Sequence, residues 1–291
     1  MKPAPFKYIA AASLDQALTL KAEFGDEARF LAGGQSLVPM LNFRVAQPKV
    51  LIDLNLLSQL SGIACESSAS LRIGALTRYR ALERDQHIVQ TAPLVREALP
   101  HIAHPQIRNR GTLGGNLAHA DPASELPAIV VALRGRLRAR SIRGERWIEA
   151  RDFFLAPLTT ALQADEMLVE VQLPAHAKRS GSCFMEVARR RGDFALMGAA
   201  VVLTHGVFGQ CNDVRVVLCG AGDTPTDVSD AASGLIGHSV DVAAIDHVAA
   251  SVQKSIDPPG NVHASKAFQR HLAGVLVKRA LGVAAERAQH G

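Results

Sequence analysis

Through the first third of the chain, short apolar runs alternate with amphipathic stretches. Lys7–Ala10, Ala28–Ala32 and Val50–Leu54 are apolar over four or five residues, too short for helices, and read as strands. Between the first two, Leu14, Ala17, Leu18 and Lys21 recur at helical spacing. Ser13 with Gln16 three residues on makes a capping box, and Gly25 is a stop. Ser36 stands where it would cap a second short helix, so residues 1–58 form a strand–helix–strand–helix–strand unit. Residues 59–176 read as a second unit. It holds a strand at Ser70–Leu76, a polar helix capped by Thr77, and helices at Ala92–Ala103 and Ser124–Leu133. A strand at Arg136–Ile142, a turn at Asp152–Phe154 and a strand at Glu166–Leu173, closed by Pro174, complete it. The stretch AHAKRSGS, 175–182, is small, charged and weakly patterned, and marks a boundary. In residues 177–291, three strands (Cys183–Ala188, Ala195–Thr204, Val214–Cys219) precede three helices (Thr226–Ile236, Val240–Ile256, Ala264–Arg287). Strands followed by helices in a block predict an α+β domain.

Composition narrows the classes. A chain of 291 residues has the length of two or three domains, and 48% hydrophobic with 20% charged residues supports an ordinary core. A net charge of +5 suits anionic ligands or acidic partners. Aromatics at 4% are too few for a surface that stacks nucleic-acid bases. The four cysteines (Cys65, Cys183, Cys211, Cys219) make no CxxC pair, so neither a metal nor an iron–sulfur cluster is expected on this chain. MKPAPFKYIAAAS lacks the apolar core of a signal peptide, and no apolar run reaches the ~18–20 residues of a membrane span. A soluble cytoplasmic protein with reduced thiols is the expectation.

Two segments carry the chemistry. FLAGGQSLVPML (30–41) and TLGGNLAHADPASELPA (112–128) each place Gly-Gly at the opening of a helix. Backbone N–H groups at such a point lack helical partners, glycine lets a ligand approach closely, and the pair attracts phosphate. One such turn alone is an ordinary strand–helix connection. Two of the same kind could hold a diphosphate between them. Familiar phosphate fingerprints are absent: there is no G-x-x-x-x-G-K-[ST], and Gly220-Ala221-Gly222 is followed by Pro225 where a third glycine would stand. Ser36 has no base near it in sequence, so capping is preferred to a nucleophile's role. His101 and His104 form an HxxH with His119 close by, but no third ligand sits at zinc spacing. Arg134, Arg136, Arg138 and Arg140 alternate with small or apolar residues on one strand face. They read as a charge-protected edge strand, or as a dock for an acidic partner. Arg189–Arg191 read as members of an internal salt-bridge network.

FLAGGQSLVPML together with IRNRGTLGGNLAHADPASELPA resembles the FAD-binding medium subunit of molybdenum hydroxylases of the xanthine dehydrogenase and carbon monoxide dehydrogenase group. RRRGDFALMGAAV (189–201) and HASKAFQRHLAGVLVKRAL (263–281) resemble two further motifs of that family, in the same order. The resemblance implies a two-subdomain FAD-binding domain of the vanillyl-alcohol-oxidase-like kind, then a C-terminal domain with a three-stranded antiparallel sheet and helices. It implies that Ala32, Gly33, Gly34, Gln35 and Ser36, flanked by Leu31 and Leu37, wrap the FAD diphosphate together with Thr112, Gly114, Gly115 and Asn116. By the same matching Arg29 lies beside the cofactor, Ile102 near its rings, and His104 and Ala120 in the cleft. Glu125 takes cofactor hydroxyls, Leu168 covers the flavin, and Asp193 and Phe194 fall close to it. Where many relatives carry a Lys, this chain has Met185 and Glu186, and no role passes to either. The implied enzyme is a dimer of heterotrimers. A small subunit with [2Fe–2S] clusters and a large subunit with the molybdenum cofactor would be the partners, and FAD would pass electrons to an external acceptor. The absence of acid–base machinery suits a chain whose chemistry belongs to a flavin. A stand-alone reductase of the same fold, or an assembly subunit that has lost FAD, are the alternatives.

Overall fold

A computed structural model describes residues 2–65 and 70–290. The first unit runs β1 (Lys7–Ala10), α1 (Leu14–Phe24), β2 (Ala28–Leu31), α2 (Leu37–Asn42) and β3 (Val50–Asp53). Its strands form a parallel sheet in the order β1-β3-β2, with Ile52 paired to Ile9 on one side and Phe30 on the other. The Ser13 hydroxyl accepts the Gln16 N–H at 3.1 Å, and Gly25 ends α1 with φ 49°. Gln16 reaches back to the Ala12 N–H rather than to that of Ser13. Ser36 does not cap α2. It already has helical backbone angles, and the chain starts to coil at Gly34, whose carbonyl accepts the Val38 N–H at 3.0 Å. The core of this unit is not its own: Ala17, Leu18, Val50 and Ile52 close against Leu76, Met167 and Val169 from the second unit.

The second unit begins with β4 (Ile63–Cys65) and β5 (Ser70–Gly74), followed by the short helices α3 (Tyr79–Arg84), α4 (Gln86–Thr91), α5 (Pro93–Ala98), α6 (Pro105–Arg108), α7 (Leu113–His119) and α8 (Glu125–Ala132). β6 (Arg136–Ser141), β7 (Gly144–Glu149), α9 (Ala150–Phe153), β8 (Phe154–Ala156), β9 (Thr159–Thr160) and β10 (Met167–Pro174) finish it. The large sheet is antiparallel, in the order β4-β5-β10-β6-β7. Thr77 does not cap α3; its hydroxyl bonds both the N–H and the carbonyl of Gly62 at 3.0 Å, tying the end of β5 to the lead into β4. Asp152–Phe154 is helical rather than a turn at its start, within α9. β7 has no counterpart in the sequence pattern, because GERWIE does not alternate. Its presence changes the arginine stripe: β6 lies between β10 and β7 and is no edge. Arg136 pairs with Glu149, Arg138 with Glu145 and Glu170, and Arg140 with Asp15, while Arg134, outside the strand, pairs with Asp213. Charges already answered by the chain's own carboxylates leave little for an acidic partner.

The third unit is a sheet in the order β11 (Ser180–Ala188), β12 (Ala195–His205), β13 (Cys211–Cys219), β14 (Thr226–Asp227), antiparallel throughout. β14 adds a two-residue fourth strand where a helix from Thr226 was expected; helix resumes only at α10 (Ser229–Ala232). α11 (Val242–Ser255) and α12 (Lys266–His290) cover one face with Val248, Val252, Leu276, Val277 and Leu281. The other face, with Phe184, Ala200, Val202 and Val217, packs against the second unit's core. Glu97 of α5 locks the two: it accepts the Phe184 N–H at 3.1 Å and both Nη groups of Arg287 at 3.0 and 3.1 Å. Arg189 faces His263 at 3.2 Å and joins no carboxylate network among the described residues.

Candidate cofactor site

The first glycine segment leaves β2 at Leu31 and enters α2 at Leu37. Four of its carbonyls are used. Asn55 Nδ2 donates to Ala32 O at 3.1 Å, Gln35 Nε2 to Gly33 O at 2.9 Å, and the Val38 and Met40 N–H groups to Gly34 O and Ser36 O. Its N–H groups are not. Among the described residues, none of the backbone N–H groups of Gly33, Gly34, Gln35, Ser36 and Leu37 has an acceptor. Protein backbone donors are almost always paired with protein or water, so five consecutive open ones form a concave donor surface that suits an anion. Gly34 sits at φ 72°, and a side chain there would press on Val38 and Leu31 at 3.1 and 3.3 Å. A Cβ on Gly33 would lie 2.4 Å from Arg110 O and 2.9 Å from Gly111 Cα. The first segment therefore rests on the backbone that leads into the second.

The second segment is built differently. Thr112 caps α7, its hydroxyl accepting the Gly115 N–H at 3.1 Å, and both glycines lie inside the helix's first turn. The Leu113 N–H goes to Thr77 O at 3.0 Å, that of Gly114 to Ala75 O at 2.8 Å, and that of Asn116 to Thr112 O at 3.1 Å. Gly114 is glycine because α7 abuts β5's end: a Cβ would fall 2.5 Å from Ala75 Cβ. Gly115 is exposed, and a Cβ there would come within 3.7 Å of Ala32 Cβ. The two segments face each other across one cleft.

That cleft has a volume of about 1130 Å³. Ordinary small-molecule pockets run to roughly 300–1,000 Å³, so there is room for a dinucleotide. Arg29, Gln35, Ser36 and Leu37 line it from the first unit, and Thr112, Gly115, Asn116 and Leu168 from the second. Arg29 is exposed and has no carboxylate at ion-pair distance among the described residues. Lys21 also faces the cleft, but its ammonium donates to Gly25 O and Ala28 O; burial first, then the Arg29 charge, lowers its pKa. The donor set, a free cation and the glycine cradle fit the diphosphate of FAD, and the apolar wall of Ala75, Leu76, Met167 and Leu168 fits a ring system.

A polar strut holds the cleft's hinge. Arg78 donates to Arg110 O in the second unit and to Asn55 Oδ1 in the first. Asn55 in turn donates its N–H to Asp53 at 2.8 Å, and the Tyr8 hydroxyl bonds the same carboxylate. Burial works against the Asp53 charge, but bonds from Tyr8 and Asn55 outweigh it and hold its pKa below the usual carboxylate value. Arg78 and Asn55 were invisible as site residues in the sequence, since neither belongs to a glycine segment. Tyr79 was missed as well: it is buried and lines the cleft. Thr159 and Thr160 of β9 and Gln163 just after it approach from a stretch with no motif.

Other expected residues lie off the cleft wall. Leu31 packs beneath Gly34, and Ile102 is buried in the second unit's core. Ala120 ends α7 in a left-handed conformation (φ 52°), with its carbonyl accepting the Leu158 N–H at 3.0 Å. His104 precedes α6 and abuts Gly192 in the β11–β12 connection, which also carries Asp193 and the exposed Phe194. Glu125 opens α8, buried at 5% exposure. His101 pairs with Glu186 at 3.3 Å, and no group of His, Cys, Asp and Glu among the described residues could hold a metal.

Comparison with known proteins places these features in a lineage. Residues 4–176 match the family model described as the FAD binding domain in molybdopterin dehydrogenase, and residues 182–284 match the CO dehydrogenase flavoprotein C-terminal domain. The chain is 40% identical to the 6-hydroxypseudooxynicotine dehydrogenase complex subunit alpha of Paenarthrobacter nicotinovorans, over 99% of this chain and 97% of that one. It is 39% identical to the caffeine dehydrogenase subunit beta of Pseudomonas sp. (strain CBB1), over 100% and 98%. A chain of the carbon monoxide dehydrogenase from Hydrogenophaga pseudoflava superimposes with a TM-score of 0.95 at 35% identity, covering 99% of both chains.

Proposed function

The chain belongs to the FAD-binding medium subunits of the carbon monoxide dehydrogenase and xanthine dehydrogenase type of molybdenum hydroxylases, and from that premise we propose that it is the electron-transfer station of a heterotrimeric oxidoreductase. In this reading a large subunit oxidises the substrate at a molybdenum cofactor, and a small subunit with [2Fe–2S] clusters delivers the electrons here. FAD supplies the exchange between one-electron carriers and an external acceptor. Heterotrimers pair into a dimer, and the enzyme works in the cytoplasm. No helix of the described residues is long and apolar enough to cross a membrane.

The observation that carries the proposal is the row of open donors at Gly33–Leu37, set against the second unit by the close approach of Gly33 to Arg110. These N–H groups bind the diphosphate, and hydrogen bonds to a charged group contribute ~1.5–3 kcal/mol each. Arg29 adds a cation at the mouth. Thr112 and Asn116 shape the opposite wall, and Leu168 limits water at the ring end. Residues 1–58 and 59–176 are thus the two jaws of the site, and 177–291 the third body behind them. An assembly subunit that had lost FAD would have no reason to keep five donors unpaired.

The test is a visible spectrum of the purified chain, before and after denaturation, with the released cofactor identified by chromatography. Released FAD supports the reading. A colourless protein that takes up no FAD, alone or assembled with its partner subunits, overturns it.

A further inference from the structure

Leu158, Thr159, Thr160, Leu162 and Gln163 line the cleft from a segment that the sheets scarcely hold. Thr159 and Thr160 form the two-residue β9, which pairs only with β8. The Leu158 N–H donates to Ala120 O at 3.0 Å. For residues 161–166, the one backbone bond to another element among the described residues runs from the Ala161 N–H to Phe153 O, at 2.8 Å. A segment with so few ladder bonds opens easily unless side chains hold it.

Two arginines of the β6–β7 hairpin do so, from outside the cleft. Arg146 of β7 donates from Nε to Glu166 Oε1 at 2.8 Å and from Nη2 to Glu166 Oε2 at 2.9 Å. The same Nη2 donates to Ala161 O at 2.7 Å, so one guanidinium joins both ends of 161–166. Glu166 Oε2 also accepts the Gln163 N–H at 2.7 Å, and the Glu166 N–H returns to Gln163 O at 3.0 Å. Arg143, in the hairpin turn, repeats the fork on Asp165 at 3.0 and 2.7 Å and adds Gln163 Oε1 at 2.5 Å. Arginine only donates, so the Gln163 amide must turn its oxygen to Arg143. Neither arginine lines the cleft. An exposed ion pair alone contributes little. This one is forked, shared with the backbone and closed on one side, where the Glu166 side chain is 7% exposed. Bonds from Arg146 outweigh burial and hold the Glu166 carboxyl below its ordinary value, so both halves of the clasp are charged at neutral pH.

We propose that Arg146 and Arg143 are positioning residues for the cofactor, clasping the strap 158–166 so that this wall of the cleft is in place before the ligand arrives. The proposal rests on the reading of this chain as an FAD carrier. A strap that must be ordered at the moment of binding lowers affinity, and a strap already held does not. Without Arg146 the strap loosens and FAD binds about tenfold more weakly, although no residue lining the cleft has changed.

Hydrogen exchange of the full-length chain without FAD tests the clasp, and FAD titration of the same samples tests its consequence. Amides of 158–166 should exchange about tenfold faster in Arg146→Ala than in the wild type, with a smaller change in Arg143→Ala. FAD affinity should fall in the same order, measured well below the melting temperature so that only the folded chain is read. Arg136→Ala is the control: it removes the same charge from the same hairpin, where Arg136 pairs with Glu149, and should change neither reading. Unchanged exchange in Arg146→Ala overturns the clasp. Faster exchange with unchanged affinity overturns its role for the cofactor, as does an equal affinity loss in Arg136→Ala, which would mean charge rather than position. If Arg146→Ala does not fold, Arg143→Ala, whose side chain is 62% exposed, carries the same comparison. A wild-type chain that binds no FAD would instead sink the FAD reading, and the exchange rates would still decide the clasp.

Discussion

The two Gly-Gly segments look alike in sequence and do opposite things with their backbones. In 32–37 the carbonyls of Ala32, Gly33, Gly34 and Ser36 are satisfied and the N–H groups of Gly33–Leu37 are open. In 113–116 the N–H groups are consumed by Thr77, Ala75 and Thr112. The first is a donor surface. The second is a wall whose Gly114 exists so that α7 can press on Ala75. The lesson is that glycine in a phosphate-like motif has two physical meanings, room for a ligand and room for the protein. Only the partners of the neighbouring N–H groups tell them apart.

Substitutions can break that contrast. The largest effect is expected from Gly33→Val, which drives a side chain into the Arg110 carbonyl 2.4 Å from the Cβ position and parts the jaws. FAD retention should fall by more than about 100-fold, with several kcal/mol lost in stability, about 3–5 on the scale of severe core mutations. Cofactor content and thermal melting read both. Gly114→Ala should cost about 1–3 kcal/mol as an overpacked contact with Ala75. Its melting temperature should drop while the affinity of the folded fraction for FAD holds; an affinity loss without destabilisation would mean that α7 binds phosphate after all.

Gly34→Ala sharpens the other side. Holding a side chain at φ 72° costs about 1–2 kcal/mol. If the loop escapes that strain by flipping, the donors turn away and FAD should bind about tenfold more weakly, measured by fluorescence titration. Smaller still is Thr112→Val, which removes the α7 cap for about 1 kcal/mol and should leave affinity unchanged. The smallest effect comes from acid. The Asp53 carboxyl has a folded pKa below its unfolded value of 3.8, so its contribution is full above that value and is lost as pH falls through the folded pKa. Release of FAD in that acid window should be earlier in Asn55→Ala, which loses a donor that stabilises the Asp53 charge.

Much of this molecule was legible as pattern. Ser13 and Gly25 bound α1 because capping is a local matter, settled within four residues. The strands at 50–53, 195–205 and 211–219 follow from β-rich apolar runs whose burial is nearly forced. What failed depended on partners distant in the chain. Thr77 has capping chemistry but spends it on Gly62, and Ser36 caps nothing because the coil already starts at Gly34. The arginine stripe reads as an edge only while GERWIE is not recognised as a strand. Once β7 pairs with β6, Glu145 and Glu149 arrive opposite Arg140 and Arg136.

The sequence by itself determined α1, the longer apolar strands, both glycine segments and the family, since these rest on local spacing and on motifs kept in one order. Tertiary structure alone decided which N–H groups stay open, that Arg78 and Asn55 brace the two units, and that Glu186 meets His101. The reason is physical. A hydrogen bond, a desolvated charge and a steric contact depend on distance in space, and a linear chain states only distance along itself.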